Sequence, residues 1–193
     1  MPQFNSPDLV ARAQKGNAEA MGMLYEQHHQ SIYRYLVYRL NDSHVAEDLT
    51  SEVFLKMVQF IASYRATNAT FRAWLFQVAR NLSIDYFRRN RAHPVKTIDE
   101  EMEAPRQEHP EDCAEQALTS EMLQKALAQL GDDQRDVILL RFVEGMPLSE
   151  VASALHRSED AVKGLQRRAL LGLRDLIRYL EPEAEDGKLR QYS

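Results

Sequence analysis

The sequence predicts an all-α chain: two small helical domains joined by a flexible acidic linker. Three observations carry that expectation. Prolines stand at 2, 7, 94, 105, 110, 147 and 182, so 8–93 and 111–146 lack the residue that breaks a helix interior. Within those stretches apolar residues recur at three- and four-residue spacing, the helical period. Residues 93–119 hold three prolines and a net charge of −6, with little apolar periodicity, as connecting segments do. The expected boundaries are 1–92, a linker over 93–119, 120–180, and an acidic tail over 181–193.

Composition narrows the classes. The chain has 193 residues, 44% hydrophobic and 27% charged, which suits packed domains rather than wholesale disorder. Cys113 is the single cysteine, which excludes an intramolecular disulfide and a zinc site built on several thiolates. A reducing, cytoplasmic setting is expected. Apolar runs such as Val137-Ile138-Leu139-Leu140 fall far short of the roughly 20 residues that span a bilayer, so no membrane insertion is expected. The opening Met-Pro-Gln-Phe-Asn-Ser-Pro has neither the basic start nor the apolar stretch of a signal peptide. The net charge of −5 argues at face value against nucleic acid. Divided by segment, however, 1–92 carries +3, 120–180 is neutral and 181–193 carries −2.

In the first domain, Ser6-Pro7-Asp8 reads as a helix start, with Ser as cap, Pro in the first helical position and Asp in the first turn. Gly16-Asn17 ends that short helix. A second helix over about 18–40 puts Met21, Leu24, Tyr25, His28, Ile32, Tyr35, Leu36 and Arg39 near one stripe. Asn41-Asp42-Ser43 is a loop that supplies a cap. A third helix over about 45–61 buries Val45, Leu49, Val53, Met57 and Phe60. A second line on it, Asp48, Glu52, Leu55 and Gln59, is either a solvated face or a docking surface. Ser63–Thr70 is polar and turn-prone. A fourth helix over about 71–91 groups Phe71, Trp74, Leu75, Val78, Leu82, Tyr86 and Arg89 on one side. The other side carries Phe76, Arg80, Ile84, Phe87 and Arg91, flanked by Asn81 and Arg88. Cations interleaved with aromatics suit single-stranded nucleic acid, through ring stacking and phosphate contacts. Equally, those rings can pack on another helix under arginine stems. The basic end, Arg88-Arg89-Asn90-Arg91, favours a phosphate backbone.

In the second domain, helices are expected over about 120–130 and 133–144, ended by Gly131 and Gly145. From Met146 to Lys163 the pattern is short helix, tight turn, longer helix. Ala152 is small at the crossing, Leu155 and Val162 supply a core, and Ser158 caps the second helix with Glu159 and Asp160 in its first turn. This is the helix-turn-helix pattern. His156 stands where such turns often have Gly, and His tolerates the left-handed conformation. On the second helix Val162, Leu165, Ala169 and Leu173 are buried. Asp160, Lys163, Gly164, Arg167, Leu171 and Arg174 face outward, with Arg168 at the edge. Segment 157–178 has six Lys/Arg against three Asp/Glu, and such a helix fits the major groove. A plain helical hairpin with a solvated face is the alternative.

Both halves resemble one family, the bacterial sigma factors of the extracytoplasmic-function type. Ala46-Glu47-Asp48-Leu49-Thr50-Ser51-Glu52-Val53-Phe54-Leu55 is similar to the family's core-polymerase-binding motif. The run from Phe71 to Asn81, followed by Asp85-Tyr86-Phe87-Arg88-Arg89, resembles its promoter-melting and −10-reading helix. Leu139-Arg141-Phe142, Gly145-Met146-Pro147, Glu150-Val151-Ala152, Ala161-Val162-Lys163 and Arg168-Ala169 resemble region 4. The resemblance implies that Asp48, Glu52, Leu55 and Gln59 face core RNA polymerase. It implies that Asn81, Asp85, Arg88 and Arg89 lie near the −10 element, and that Ser63–Thr70 holds a flipped base. Arg80 and Arg91 of the same helix, with Ser63 and Thr70, complete the expected −10 set. The expected −35 set, read from helix geometry, is Ser158, Asp160, Lys163, Gly164, Arg167 and Arg168. Gly164-Leu165 stands where many members have Ser-Arg.

The expectation is a non-catalytic subunit without cofactor or metal. Its partners are core RNA polymerase and promoter DNA, with an anti-sigma factor as a further expected partner. It is expected to be monomeric when free or 1:1 with a partner. The alternative is a stand-alone helix-turn-helix regulator with a helical sensor domain. The N-terminal half offers that reading no ligand pocket. An enzyme finds no Gly-rich phosphate loop, no His-Glu-x-x-His and no nucleophile motif. His28-His29 are adjacent and point to different helix faces.

Overall fold

A computed structural model describes residues 7–66, 70–92 and 123–180. The expected linker and tail, Ser6 and most of Ser63–Thr70's centre (67–69) lie outside the described residues. All regular structure among the described residues is helical. The N-terminal unit is α1 (Pro7–Gln14), α2 (Ala18–Leu40), α3 (Ser43–Phe60), a 3-10 turn (Ile61–Ser63) and α4 (Phe71–Ala92). The C-terminal unit is α5 (123–128), α6 (Asp132–Ile138), a π-helical turn (Leu139–Val143), α7 (Leu148–Leu155) and α8 (Glu159–Leu180).

Local chemistry sets the boundaries. Gly16, at φ 82°, closes α1, and the Asn17 side chain accepts from the Ala20 amide at 2.8 Å to start α2. Asn41, at φ 56°, closes α2, and Asp42 accepts from the Val45 amide at 2.9 Å. α3 therefore starts at Ser43, two residues before the apolar pattern begins. Thr70 Oγ1 accepts from the Ala73 amide at 3.2 Å at the head of α4. Gln134 Oε1 accepts from the Gly131 amide at 3.2 Å at the head of α6.

In the N-terminal core, Leu24, Ile32, Tyr35 and Leu36 of α2 meet Leu49, Val53 and Met57 of α3 and Phe71, Leu75, Phe76 and Leu82 of α4. Each such side chain contributes about 1.5–3 kcal/mol by burial. Two residues leave their expected stripes. Phe60 is 52% exposed, and Ile61 is buried instead. The 3-10 turn tightens the chain there, and Gln14 Nε2 holds it by donating to the carbonyls of Ile61 and Tyr64 at 3.1 and 2.7 Å. Tyr25 is also exposed, stacked on His29 and edge-on to Phe54 at the rim of the core.

The C-terminal core gathers Leu127, Val137, Leu139, Leu140, Val151, Leu155, Val162 and Ala169. Within the described residues the two units touch: α4 packs on α7, and α2 on the π-helical turn. Arg39 and Asp136 form a fully buried ion pair between them. The Tyr35 hydroxyl donates to Asp136 at 2.9 Å. A charge so buried is retained only when paired and hydrogen-bonded, and Asp136 has both.

Candidate nucleic-acid interface

α3 offers the first face. Asp48, Leu55 and Gln59 are exposed and Glu52 is half-buried, so the four lie together on the outer side of the helix. Glu52 pairs with Lys56 at 3.8 Å. Leu55 is 62% exposed, and Val58 and Phe60 follow it, each about half exposed. Sequence reasoning missed Val58 and Phe60 as part of this face. The signal was the run Leu55–Phe60, which places more apolar residues than one buried stripe can absorb. An apolar row rimmed by carboxylates is what a docking surface presents.

α4 offers the second face, in two halves. At its C-terminal end Asn81, Arg88 and Arg89 are exposed. Asp85 pairs with Arg88 at 3.0 Å, and the Arg89 Nε donates to the Asp85 carbonyl at 3.4 Å. The side chain of Arg91 lies outside the described residues. Ser63 Oγ donates to the Phe60 carbonyl at 2.8 Å, and Thr70 caps α4, so both carry local structural duties.

The N-terminal half of α4 differs from the exposed stacking platform that sequence allowed. Phe76 is buried, edge-on to Tyr35 at 5.5 Å, with the Arg72 guanidinium over its ring. Arg80 is paired: Nε donates to Asp136 at 2.8 Å and Nη2 to Asp133 at 2.6 Å. Burial opposes the Arg80 charge, but the hydrogen bond and charge of Asp136, with Asp133, outweigh it and raise its pKa. Burial, then the Asp136 charge, push the Tyr35 hydroxyl well above its ordinary value. Arg34 forms a bidentate pair with Glu144 at 2.8 and 3.0 Å, and Arg72 approaches the same carboxylate at 3.5 Å. Sequence placed Arg80 toward DNA. The packing of the two units places it against carboxylates.

α7 and α8 form the third face. His156, at φ 51°, makes the sharp turn between them, and its amide donates to the Ser153 carbonyl at 3.3 Å. Ser158 Oγ accepts from the Ala161 amide at 3.2 Å as the cap of α8. Val162 and Ala169 are buried, whereas Asp160, Lys163, Arg167, Arg168 and Arg174 are exposed. Lys163 pairs with Asp160 at 3.0 Å, and that hydrogen bond raises its pKa. At Gly164 an added Cβ meets only the mobile end of Arg168 at 3.7 Å, so packing does not demand glycine there. The sets on α3, on the C-terminal half of α4 and on α8 are thus each grouped on one helix.

Among the described residues no group of His, Cys, Asp and Glu is arranged to hold a metal. None of the described helices is long and apolar enough to cross a membrane.

Comparison with known proteins matches this arrangement twice in one chain. Residues 24–93 match Sigma-70 region 2, and residues 126–175 match Sigma-70, region 4. The chain is 38% identical to the ECF RNA polymerase sigma factor BldN of Streptomyces coelicolor, over 92% of this chain and 66% of that protein. It is 33% identical to the ECF RNA polymerase sigma factor SigX of Bacillus subtilis, over 89% of this chain and 91% of that protein. Its fold is similar to that of the sigma factor RpoE in a complex with the anti-sigma factor NepR from Bartonella quintana, with TM-score 0.68 and 21% identity, over 83% and 98% of the two chains. Two ordered helical units, one ending in a helix-turn-helix with a cationic outer face, and these matches place the chain in the extracytoplasmic-function family of RNA polymerase sigma factors, non-catalytic subunits that bind core polymerase and direct promoter recognition.

Proposed function

We propose that the chain divides promoter recognition between its units. The domain over 1–92 docks on core polymerase through Asp48, Glu52, Leu55 and Gln59, and Val58 and Phe60 extend the apolar contact. The same domain reads the −10 element with Asn81, Asp85, Arg88, Arg89 and Arg91, and Arg80 joins them only when its bonds to Asp133 and Asp136 are exchanged for DNA. Ser63 and Thr70 border the loop that receives an unstacked base. Capture of such bases offsets an unpairing cost of a few kcal/mol, so melting needs no hydrolysis by this chain. The domain over 120–180 reads the −35 element with Ser158, Asp160, Lys163, Gly164, Arg167 and Arg168. The acidic linker over 93–119 follows channels of the polymerase that normally hold nucleic acid, to which its charge is suited. The tail over 181–193 is a plain acidic end.

The observation that carries this division is the coexistence of two exposed faces on different units. α3 exposes an apolar row among carboxylates, and α8 exposes cations above a buried Val162 and Ala169. The protein acts in the cytoplasm, where polymerase and promoter are. It is monomeric when free and joins partners 1:1. An anti-sigma factor is among those partners, as NepR is for RpoE.

The test maps substitutions onto promoter elements. Arg167→Ala with Arg168→Ala should remove the penalty for a scrambled −35 element and leave the −10 penalty. Arg88→Ala with Arg89→Ala should do the reverse. Equal loss on both elements from either pair contradicts the division.

A further inference from the structure

Gln14, the last residue of α1, reaches a turn that starts 47 positions further along the chain. Its Nε2 donates to the Ile61 carbonyl at 3.1 Å and to the Tyr64 carbonyl at 2.7 Å, so one amide spans the 3-10 turn Ile61–Ser63. Those carbonyls do not need it for a partner. Ile61 also accepts from the Tyr64 amide at 3.1 Å, and Tyr64 also accepts from the Arg65 guanidinium at 3.0 Å. Nor does α1 need it to stay in place, because Leu9, Val10 and Ala13 of that helix are buried. What Gln14 adds is a fixed direction for the chain as it leaves α3, since two hydrogen bonds from one planar amide constrain both acceptors at once.

That direction decides where Tyr64 goes. Its ring is buried, edge-on to Phe71 at 5.6 Å and tilted on Trp74 at 5.4 Å, and both partners are in the first turn of α4. Thr70 caps the same turn. The two borders of the proposed base-receiving stretch are thus tied to one place, Tyr64 by Gln14 and the aromatic contacts, Thr70 by its cap. Freedom removed from those borders before DNA arrives is not lost again on binding. We propose that Gln14 is a positioning residue for capture of the unstacked −10 base, acting through Tyr64 rather than by touching DNA. This role rests on the proposed reading of the −10 element by the same domain.

Capture offsets unpairing, so a poorly preset border costs most where the duplex has still to be opened and least where the −10 bases are already unpaired. A chain that is merely less stable loses activity on both kinds of DNA. Trp74 is the single tryptophan of the chain, so its emission reports directly on the contact with Tyr64.

The test uses the full chain with Gln14→Ala and with Gln14→Glu, which keeps the side-chain length and replaces the donors with a carboxylate that has none. Circular dichroism checks folding, and each variant is assayed as holoenzyme at core polymerase concentrations that saturate it. Initial transcription rate is read on a duplex promoter and on the same promoter with its −10 region pre-opened by mismatches. The expected loss is about tenfold on the duplex, the order that two lost hydrogen bonds give, and less than about twofold on the pre-opened template. Trp74 emission should change in the free variants. Equal losses on both templates, or none on either, overturn the role of Gln14, as does unchanged Trp74 emission. If one variant fails to fold, the other decides the question. The wild-type chain separates the two readings. Indifference to a scrambled −10 element contradicts the reading of that element, whereas a normal response, with variants that lose equally on both templates, contradicts only the role of Gln14.

Discussion

The Tyr35 hydroxyl of α2 donates to Asp136 of α6 at 2.9 Å, 101 positions away in sequence. It is one of three groups from the N-terminal unit on a single buried carboxylate, with Arg39 and Arg80. Burial raises the Asp136 carboxyl above its ordinary range against the pull of those arginines. The packing of the two units therefore depends on polar groups that are expensive to leave unpaired.

Tyr35→Phe tests that dependence. It keeps the ring against Phe76 and removes only the donor. A hydrogen bond to a charged, buried group is worth about 2 kcal/mol, and urea unfolding should show a loss of that size. A loss below about 0.5 kcal/mol, typical of an inconsequential surface change, would contradict it.

His28 sets the response to acid. Burial, then the nearby Arg72 charge, lower its pKa from 6.5 to about 4. Between those values the unfolded chain binds the proton and the folded chain does not. Stability from the neutral imidazole is thus complete above the unfolded value and declines as pH falls through this window. At pH 5 the loss is about 2 kcal/mol. His28→Phe should flatten the stability profile between pH 7 and 5. A variant whose profile matches the wild type would exclude His28 as its source.

Docking on polymerase tests the α3 face. Asp48→Arg with Glu52→Arg should weaken binding to core polymerase while thermal melting stays unchanged, since both side chains are on the outer face. Leu55→Ala alone should weaken it about tenfold, as for a central apolar contact. Unchanged affinity in a folded variant counts against this surface.

The −35 reading has a signature in salt. An arginine on a backbone phosphate releases about one counterion, so Arg167→Ala should lower the slope of log affinity against log salt by about 1. A variant that loses sequence preference with an unaltered slope assigns Arg167 to a base edge instead.

Much of this fold was legible because local chemistry dictates it. Asn17, Asp42, Ser158 and the left-handed His156 mark boundaries by their own side chains. The stripe from Met21 to Arg39 is buried apart from Met21, which is half-buried, and Tyr25. Phe60 and Ile61 were exchanged because a 3-10 turn, pinned by Gln14 from 47 positions away, shifts the helical phase. The pairing of Arg80 was not legible. A cation on an amphipathic helix reads the same whether it meets phosphate or carboxylate, and nothing near Arg80 names Asp133 and Asp136 as its partners. The same holds for Arg34 and Glu144, 110 positions apart. The net charge of −5 misled for a related reason, since it averages an acidic linker with cationic faces.

The most direct measurement of the central claim is run-off transcription from a promoter carrying −35 and −10 elements, with purified core polymerase. The expected result is a discrete transcript only when core and this chain are both present, lost when either element is scrambled. A tight footprint by the chain alone, with no specific transcript gained by core polymerase, would contradict it.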